Sequence, residues 1–229
     1  MGGSDLQYQV LEACHALGAY DLGGVIGGHV SMRVPGERRY WTNALDRSFE
    51  EMDLDDMVLM DFDGAVVGGG RTVSPGIGFH PGIYELRPDV QAVVHTHGYW
   101  VTAQSAFGRA PKMWHNLSTY FHGRTAISPT DEIASIAPSL GAQDVAIVIP
   151  WHGAITIGGS IGEAAALHHT FAYACKLDVT LDPTSAVAMP DENVAAIQSL
   201  IAKADYLANT WGMMRRRAAR TLPAVLVHA

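Results

Sequence analysis

The order of elements along the chain predicts a helix-clad sheet, α+β or three-layer α/β/α in class, on three observations. Turn signals between short strand patterns crowd the N-terminal third and favour antiparallel pairing. Two continuous apolar runs, leading to His95 and to His152, read as buried strands. The long helical patterns come late, after Ser160. At 229 residues and 48% hydrophobic content, the chain is expected to bury its core as a single domain, 1–229, with terminal helices packed around it.

Asp5 to Ala19 places Leu6, Val10, Leu11, Cys14 and Leu17 at helical spacing, which predicts an amphipathic helix ending near Gly18. Leu22 to Gly28 is glycine-rich but lacks the spacing of a dinucleotide loop. It reads instead as a close-approach turn into a half-buried strand, His29 to Val34. Pro35-Gly36 turns the chain into a returning strand at Arg39 to Thr42. An acidic, helical or turn-like stretch from Phe49 to Met57 precedes a hairpin, Val58–Phe62 against Ala65–Val67, expected to close on Asp63-Gly64 in a type I′ turn. After a loop at Thr72–Phe79, a short helix runs from His80 or Pro81 to Leu86, and another from Gly98 to Phe107. Pro111 to Ser128 keeps more than one reading, whereas Thr130 opens an expected helix from Asp131 to Leu140 stopped by Gly141. Ala154 to Ile157 is a strand, and Ser160-Ile161-Gly162-Glu163 is a capping box opening a helix to about Asp178. Beyond Asp182-Pro183-Thr184-Ser185, a second long helix is expected from Asp191 to about Arg217.

The formal charge of −8, with no basic block, argues against a nucleic-acid partner, because phosphate binding needs clustered Lys and Arg. Arg215, Arg216, Arg217 and Arg220 stand at a helix end, where cations favour the dipole, and read as a solvated terminus. Cys14 and Cys175 read as reduced core thiols. No apolar run approaches the roughly 20 residues of a membrane span, and Met1 to Ser4 leads into no secretion-signal core, so a cytoplasmic protein without a membrane partner is expected.

The chemistry gathers at His95 and His97. If the strand through Val93 and Val94 continues to Thr96, both imidazoles project from one face, with Cα atoms about 6.5 to 7 Å apart, close enough for one cation. His152 follows the second apolar strand in a glycine-flanked turn. Three imidazoles from two strand ends are the arrangement an open metal site wants, with the remaining positions left for water or substrate; plain core or surface histidines, and for His152 a lone turn histidine, are the other reading.

These motifs, in this order, resemble the class II aldolase/adducin family: Gly28-His29-Val30-Ser31-x-Arg33, His80 with Ile83-Tyr84, Arg87-Pro88-Asp89-Val90, Val94-His95-Thr96-His97, and His152-Gly153 followed by Gly158. The resemblance implies an α/β fold, a three-layer α/β/α sandwich around a mainly antiparallel sheet. It also implies a homotetramer with sites near subunit interfaces, and one divalent metal per subunit, Zn, Mn or Fe, on His95, His97 and His152. Sugar-phosphate aldolases of the family carry a catalytic glutamate four residues before the histidine matching His80, where this chain has Gly76. Their phosphate-gripping asparagine is replaced by His29, and their serine pair by Ser74-Pro75. Ordinary phosphorylated-sugar chemistry is therefore disfavoured.

The expected activity is that of a metal-dependent carbon–carbon lyase on a small molecule. Its substrate would be a non-phosphorylated, chelating aromatic hydroxy acid or 2-oxo acid, and decarboxylation is preferred to aldol cleavage. His80, or else His115 or Tyr120, is expected to donate the proton, and His29, Ser31, Arg33, Ser74 and Gly76 to contact substrate. Arg33 has a structural ion pair as its other reading. The alternatives are a non-haem Fe(II) oxygenase on the same scaffold and an adducin-like interaction module without catalysis.

Overall fold

A computed structural model of the chain describes residues 3–181 and 184–221. Alternation within its strands creates two apolar faces on one eight-stranded sheet. The strands are β1 (His29–Arg33), β2 (Arg39–Asn43), β3 (Met57–Asp61), β4 (Val66–Gly68), β5 (Ala92–Thr96), β6 (Thr125–Ile127), β7 (Ala146–Ile149) and β8 (Gly153–Gly158). Their spatial order is β4-β3-β2-β1-β5-β8-β7-β6, with β6 and β7 parallel and every other neighbouring pair antiparallel.

On one face, Val30, Ala92, Val94, Ala146, Val148 and Ala154 pack against α1 (Gly3–Gly18) and the long helix following β8. On the other, Val93, Ile147, Ile149, Ile155 and Ile157 pack with α2 (Phe79–Leu86). The expected α/β fold, with its helix-flanked and mainly antiparallel sheet, is thus observed. The remaining helices are α3 (Tyr99–Ser105), α4 (Ile133–Ile136), α5 (Ile161–Thr180), α6 (Asp191–Ile201) and α7 (Tyr206–Thr221). Ser160 caps α5 by accepting from the Glu163 N–H, but the predicted box does not close, since the Glu163 carboxylate accepts from the Gly159 N–H at 2.8 Å; Gly162 admits the Trp211 ring, which lies 2.5 Å from where a Cβ would stand.

Three local expectations are corrected. The helix over 131–140 shrinks to four residues, because Pro138 has no N–H to donate to the turn behind it. The helix over 191–217 is two helices. α6 buries Val194 and Ile201 and packs on the short 3₁₀ stretch Asn116–Phe121, whereas α7 buries Met214 and Ala218 and packs on α1 and α5. One straight rod cannot serve both surfaces. The third concerns the β3–β4 hairpin, whose turn is not type I′: only Gly64 takes a positive φ (92°), and the Asp61 carboxylate accepts from the Asp63 and Ala65 N–H groups. Asp182 and Pro183 of the predicted break lie outside the described residues.

Arg215, Arg216, Arg217 and Arg220 of α7 are all exposed, as expected, while Arg215 also pairs with Glu12 at 2.6 Å and Arg217 lies 4.2 Å over the Tyr20 ring. Cys14 and Cys175 are buried free thiols. No helix among the described residues is long and apolar enough to cross a membrane.

His168 of α5 illustrates how the helical layer grips the sheet. It is fully buried, bonded to Thr96 Oγ1 at 2.7 Å and Thr156 Oγ1 at 3.1 Å, both on the α5-facing side. Burial, reinforced by His169, lowers its pKa to about 3. An unfolded chain protonates the same ring near about pH 6.5, so between those values the unfolded state binds more protons. The stability contribution is therefore complete above about pH 6.5 and is lost as pH falls toward 3. Unfolding free energy measured from pH 6.5 to 4 is expected to slope less steeply in His168→Gln than in the parent, by up to about 1.4 kcal/mol per pH unit. Equal slopes would show that the ring is not held neutral.

Candidate active site

The parity that builds the two cores also aims the site. Val93 and His95 share the α2-facing side of β5, and His97 follows on the same parity just past the strand's end. His152 arrives from the β7–β8 turn, where Trp151 takes a left-handed φ of 59° and the His152 N–H donates to the Ile149 carbonyl. Two glycines permit the close fit. A Cβ on Gly153 would lie 2.4 Å from the Thr96 carbonyl oxygen, and one on Gly24, at φ 73°, would lie 2.3 Å from that of His97. The Leu22–Gly28 segment is thus the close-approach turn its composition predicts, and it braces the histidine loop.

The ligand atoms of His95, His97 and His152 lie within 4.8 Å of one another. His97 Nε2 stands 2.9 Å from His95 Nε2 and 2.8 Å from His152 Nε2. His95 Nδ1 is 3.0 Å from the Ala154 carbonyl, which can only accept, so that nitrogen carries the proton and the neutral ring's Nε2 presents a lone pair. The Nδ1 edge of His97 faces Gly27, 3.5 Å from where a Cβ on that glycine would stand. Burial first, then neighbouring imidazoles, holds His95 well below the usual histidine range and lowers His97. Neutral rings whose lone pairs meet at under 3 Å repel unless a cation or proton lies between them. This donor set fits a divalent metal.

Behind the trio runs a buried polar chain. His29, paired with His95 in the β1–β5 register, places Nδ1 2.6 Å from His80 Nε2. His80 Nδ1 is 2.5 Å from Ser31 Oγ, which lies 2.6 Å from Tyr84 Oη. His80 and Tyr84, one helical turn apart on α2, face the sheet together. Burial pushes the His29 and His80 pKa values well down and that of Tyr84 up. His80, expected as the proton donor, is completely buried beneath His29, and Ser31 is also fully buried. Both belong to the hydrogen-bonded chain behind His29.

Arg33 does not approach the trio. β1 carries it on the His29 face but about 13 Å farther along, where it stacks near Phe62 and Tyr84. His115 packs edge-on against Tyr173, and Tyr120 lines a separate surface hollow with Arg124 and Gln198. Neither lines the cavity beside the trio. Ser74 caps the 3₁₀ turn Pro75–Gly78, with its Oγ accepting from the Gly76 N–H at 3.3 Å. Ser74, Gly76 and His29 do converge: a Cβ on Gly76 would lie 3.7 Å from Ser74 Oγ and 3.8 Å from His29 Nε2. Asp131, which sequence reasoning left in a helix, also reaches this place, with Oδ2 4.0 Å from His152 Nδ1. No local motif links it to the other residues.

An open cavity of about 510 Å³ adjoins His97 and His152, lined by Val25, Tyr99, Thr102, Ala103 and Trp151. Trp151 and Tyr99 are 82% and 71% exposed, so the mouth presents aromatic surface to an incoming molecule.

The pattern of the Class II Aldolase and Adducin N-terminal domain matches residues 8–179. The chain belongs to the class II aldolase and adducin family. Among family relatives, the Meiotically up-regulated gene 14 protein of Schizosaccharomyces pombe is 30% identical over 171 residues, covering 70% of this chain and 66% of that protein. Decarboxylase NovR of Streptomyces niveus is 29% identical over 171 residues, 70% of this chain and 62% of that one. The chain thus spans about two thirds or less of these relatives' own length. The L-fuculose 1-phosphate aldolase from Glaciozyma antarctica shares the fold, with a TM-score of 0.85 at 23% identity over 96% of this chain and 92% of that one.

Proposed function

We propose that this chain is a divalent-metal-dependent carbon–carbon lyase that decarboxylates a non-phosphorylated, metal-chelating aromatic hydroxy acid. The observation that carries the reading is the convergence of three imidazole nitrogens at the mouth of an aromatic-lined cavity. Held by His95, His97 and His152, a Zn, Mn or Fe ion would act as a Lewis acid toward the electron pair left when carbon dioxide departs. The chain's own residues do the rest. The Ala154 carbonyl fixes the ring orientation of His95. His29, locked by His80, directs Nε2 toward the space beside Gly76. Trp151, Tyr99 and Val25 offer apolar surface to an aromatic ring and displace water from it. The 29% identity to a protein named as a decarboxylase supports the same choice. A cytoplasmic homotetramer belongs to this reading.

The test is carbon dioxide release from a panel of 2-hydroxyaryl carboxylates by metal-loaded protein. Release is expected to stop on chelation and return with added Zn, Mn or Fe. No release from any member by protein shown to hold metal would overturn decarboxylation.

A further inference from the structure

Gly82 of α2 has no side chain, and Ile133 fills that room: a Cβ there would lie 2.3 Å from Ile133 Cγ1. This contact seats α4 on α2, and Asp131 stands two residues before Ile133 in the braced loop leading into α4. That loop is held by Ser128 Oγ, which donates to the Thr130 carbonyl at 2.7 Å, and by the Glu132 N–H, which donates to Thr130 Oγ1 at 3.2 Å. As a result, Asp131 Oδ2 comes within 3.1 Å of where a Cβ on Gly76 would be. The same point is 3.7 Å from Ser74 Oγ and 3.8 Å from His29 Nε2.

A carboxylate from one side of the site therefore borders the space left by a glycine on the other, a space that Ser74 Oγ and His29 Nε2 border as well, and its Oδ2 stands 4.0 Å from the outer edge of a trio histidine. Among the described residues no hydrogen bond to its carboxylate pins it there. Its 4.0 Å separation from His152 Nδ1 exceeds a hydrogen bond, and its side chain is 31% exposed. The carboxylate is left able to accept a hydrogen from something that enters.

We infer that Asp131 is the acid–base carboxylate of the site, taking the hydroxyl proton of the substrate and delivering it to the carbon that loses the carboxyl group. This rests on the lyase reading given above. Asp131 first accepts the proton of the substrate's ring hydroxyl. The freed oxygen pair then flows into the ring, and Asp131 returns the proton to the carbon bearing the carboxylate. When the bond to that carboxylate breaks, carbon dioxide leaves and the bonding pair restores the ring, placing negative charge on the ring oxygen. Water protonates that oxygen. The sum is one hydroxyaryl carboxylate and one water giving the phenol, carbon dioxide and hydroxide, with no oxidant or reductant.

The experiment compares metal-loaded wild type with Asp131→Asn, Asp131→Ala and Asp131→Ala combined with Gly76→Glu. On a substrate of the panel, Asp131→Asn is expected to lower kcat about 10² to 10³-fold with KM within a few-fold and metal content unchanged. Gly76→Glu is expected to restore part of the loss in Asp131→Ala, since it brings a carboxylate into the same space from the opposite wall. A merely structural role would not be rescued that way. Unchanged kcat in Asp131→Asn, or loss of metal along with activity, would overturn the inference.

A second arm does not depend on turnover, so it separates failure of Asp131 from failure of the proposed reaction. 2-Hydroxybenzoate and benzoate are titrated into each metal-loaded protein. Wild type is expected to prefer the hydroxy acid, and Asp131→Asn to lose about tenfold of that preference. Wild type binding both acids equally or neither, or Asp131→Asn keeping the full preference, overturns the role for Asp131.

Discussion

Replacing His97 by alanine is expected to strip the metal and reduce turnover by at least about 10³-fold, because a Lewis acid supplies several kcal/mol at the transition state. His97 is the right member of the trio to remove. Its Nε2 faces both other rings, at 2.9 and 2.8 Å, so no pair of remaining imidazoles keeps the short contacts. It is only partly buried and lies just past the end of β5. His95, in contrast, is fully buried and bonded to Ala154, so its loss would mix folding with chemistry. Metal content by mass spectrometry, carbon dioxide release and thermal unfolding of the metal-free proteins together settle the matter. The expected pattern is metal lost, activity lost and metal-free Tm nearly unchanged. A variant that retains stoichiometric metal and activity would show that the three rings do not share an ion.

The trio is legible in sequence because its geometry is local. Strand parity alone puts His95 and His97 on one side, and the apolar run before His152 announces a second strand end. The sheet's two buried faces are legible for the same reason. What escapes is set by contacts between distant segments. Asp131 and Gly76 meet only because Ile133 nests on Gly82, and no spacing rule encodes a loop-to-turn contact of that kind. His80 looks like an accessible donor until α2 is seen to bury it under His29. Arg33 shares the face of His29 but not its end of the strand, a distance that motif proximity hides. The break between α6 and α7 falls at Ala202–Asp205, where helix-compatible residues give no warning; packing against different neighbours imposes it.

Gly153→Ala tests whether close backbone approach is what assembles the trio. The alanine Cβ would stand 2.4 Å from the Thr96 carbonyl oxygen and 3.4 Å from His97 Cδ2. The first contact is with main chain inside the β5–β8 ladder, where Thr96 is paired with Ala154, so no side-chain rotation relieves it. The strands must part, and parting them moves His95 and His97 away from His152. A destabilisation of about 2 to 4 kcal/mol is expected, which in a chain of this size lowers Tm by roughly 5 to 15 °C. Metal affinity should fall about 10 to 100-fold, the scale of displacing groups that orient ligands. Gly78→Ala is the matched control, since a Cβ there meets nothing within 4 Å and its backbone needs no left-handed conformation. It is expected to leave both Tm and metal affinity within error of the parent. If Gly153→Ala behaves like Gly78→Ala in both measurements, the ladder tolerates the methyl group, and something other than the Thr96–Gly153 contact holds the three imidazoles together.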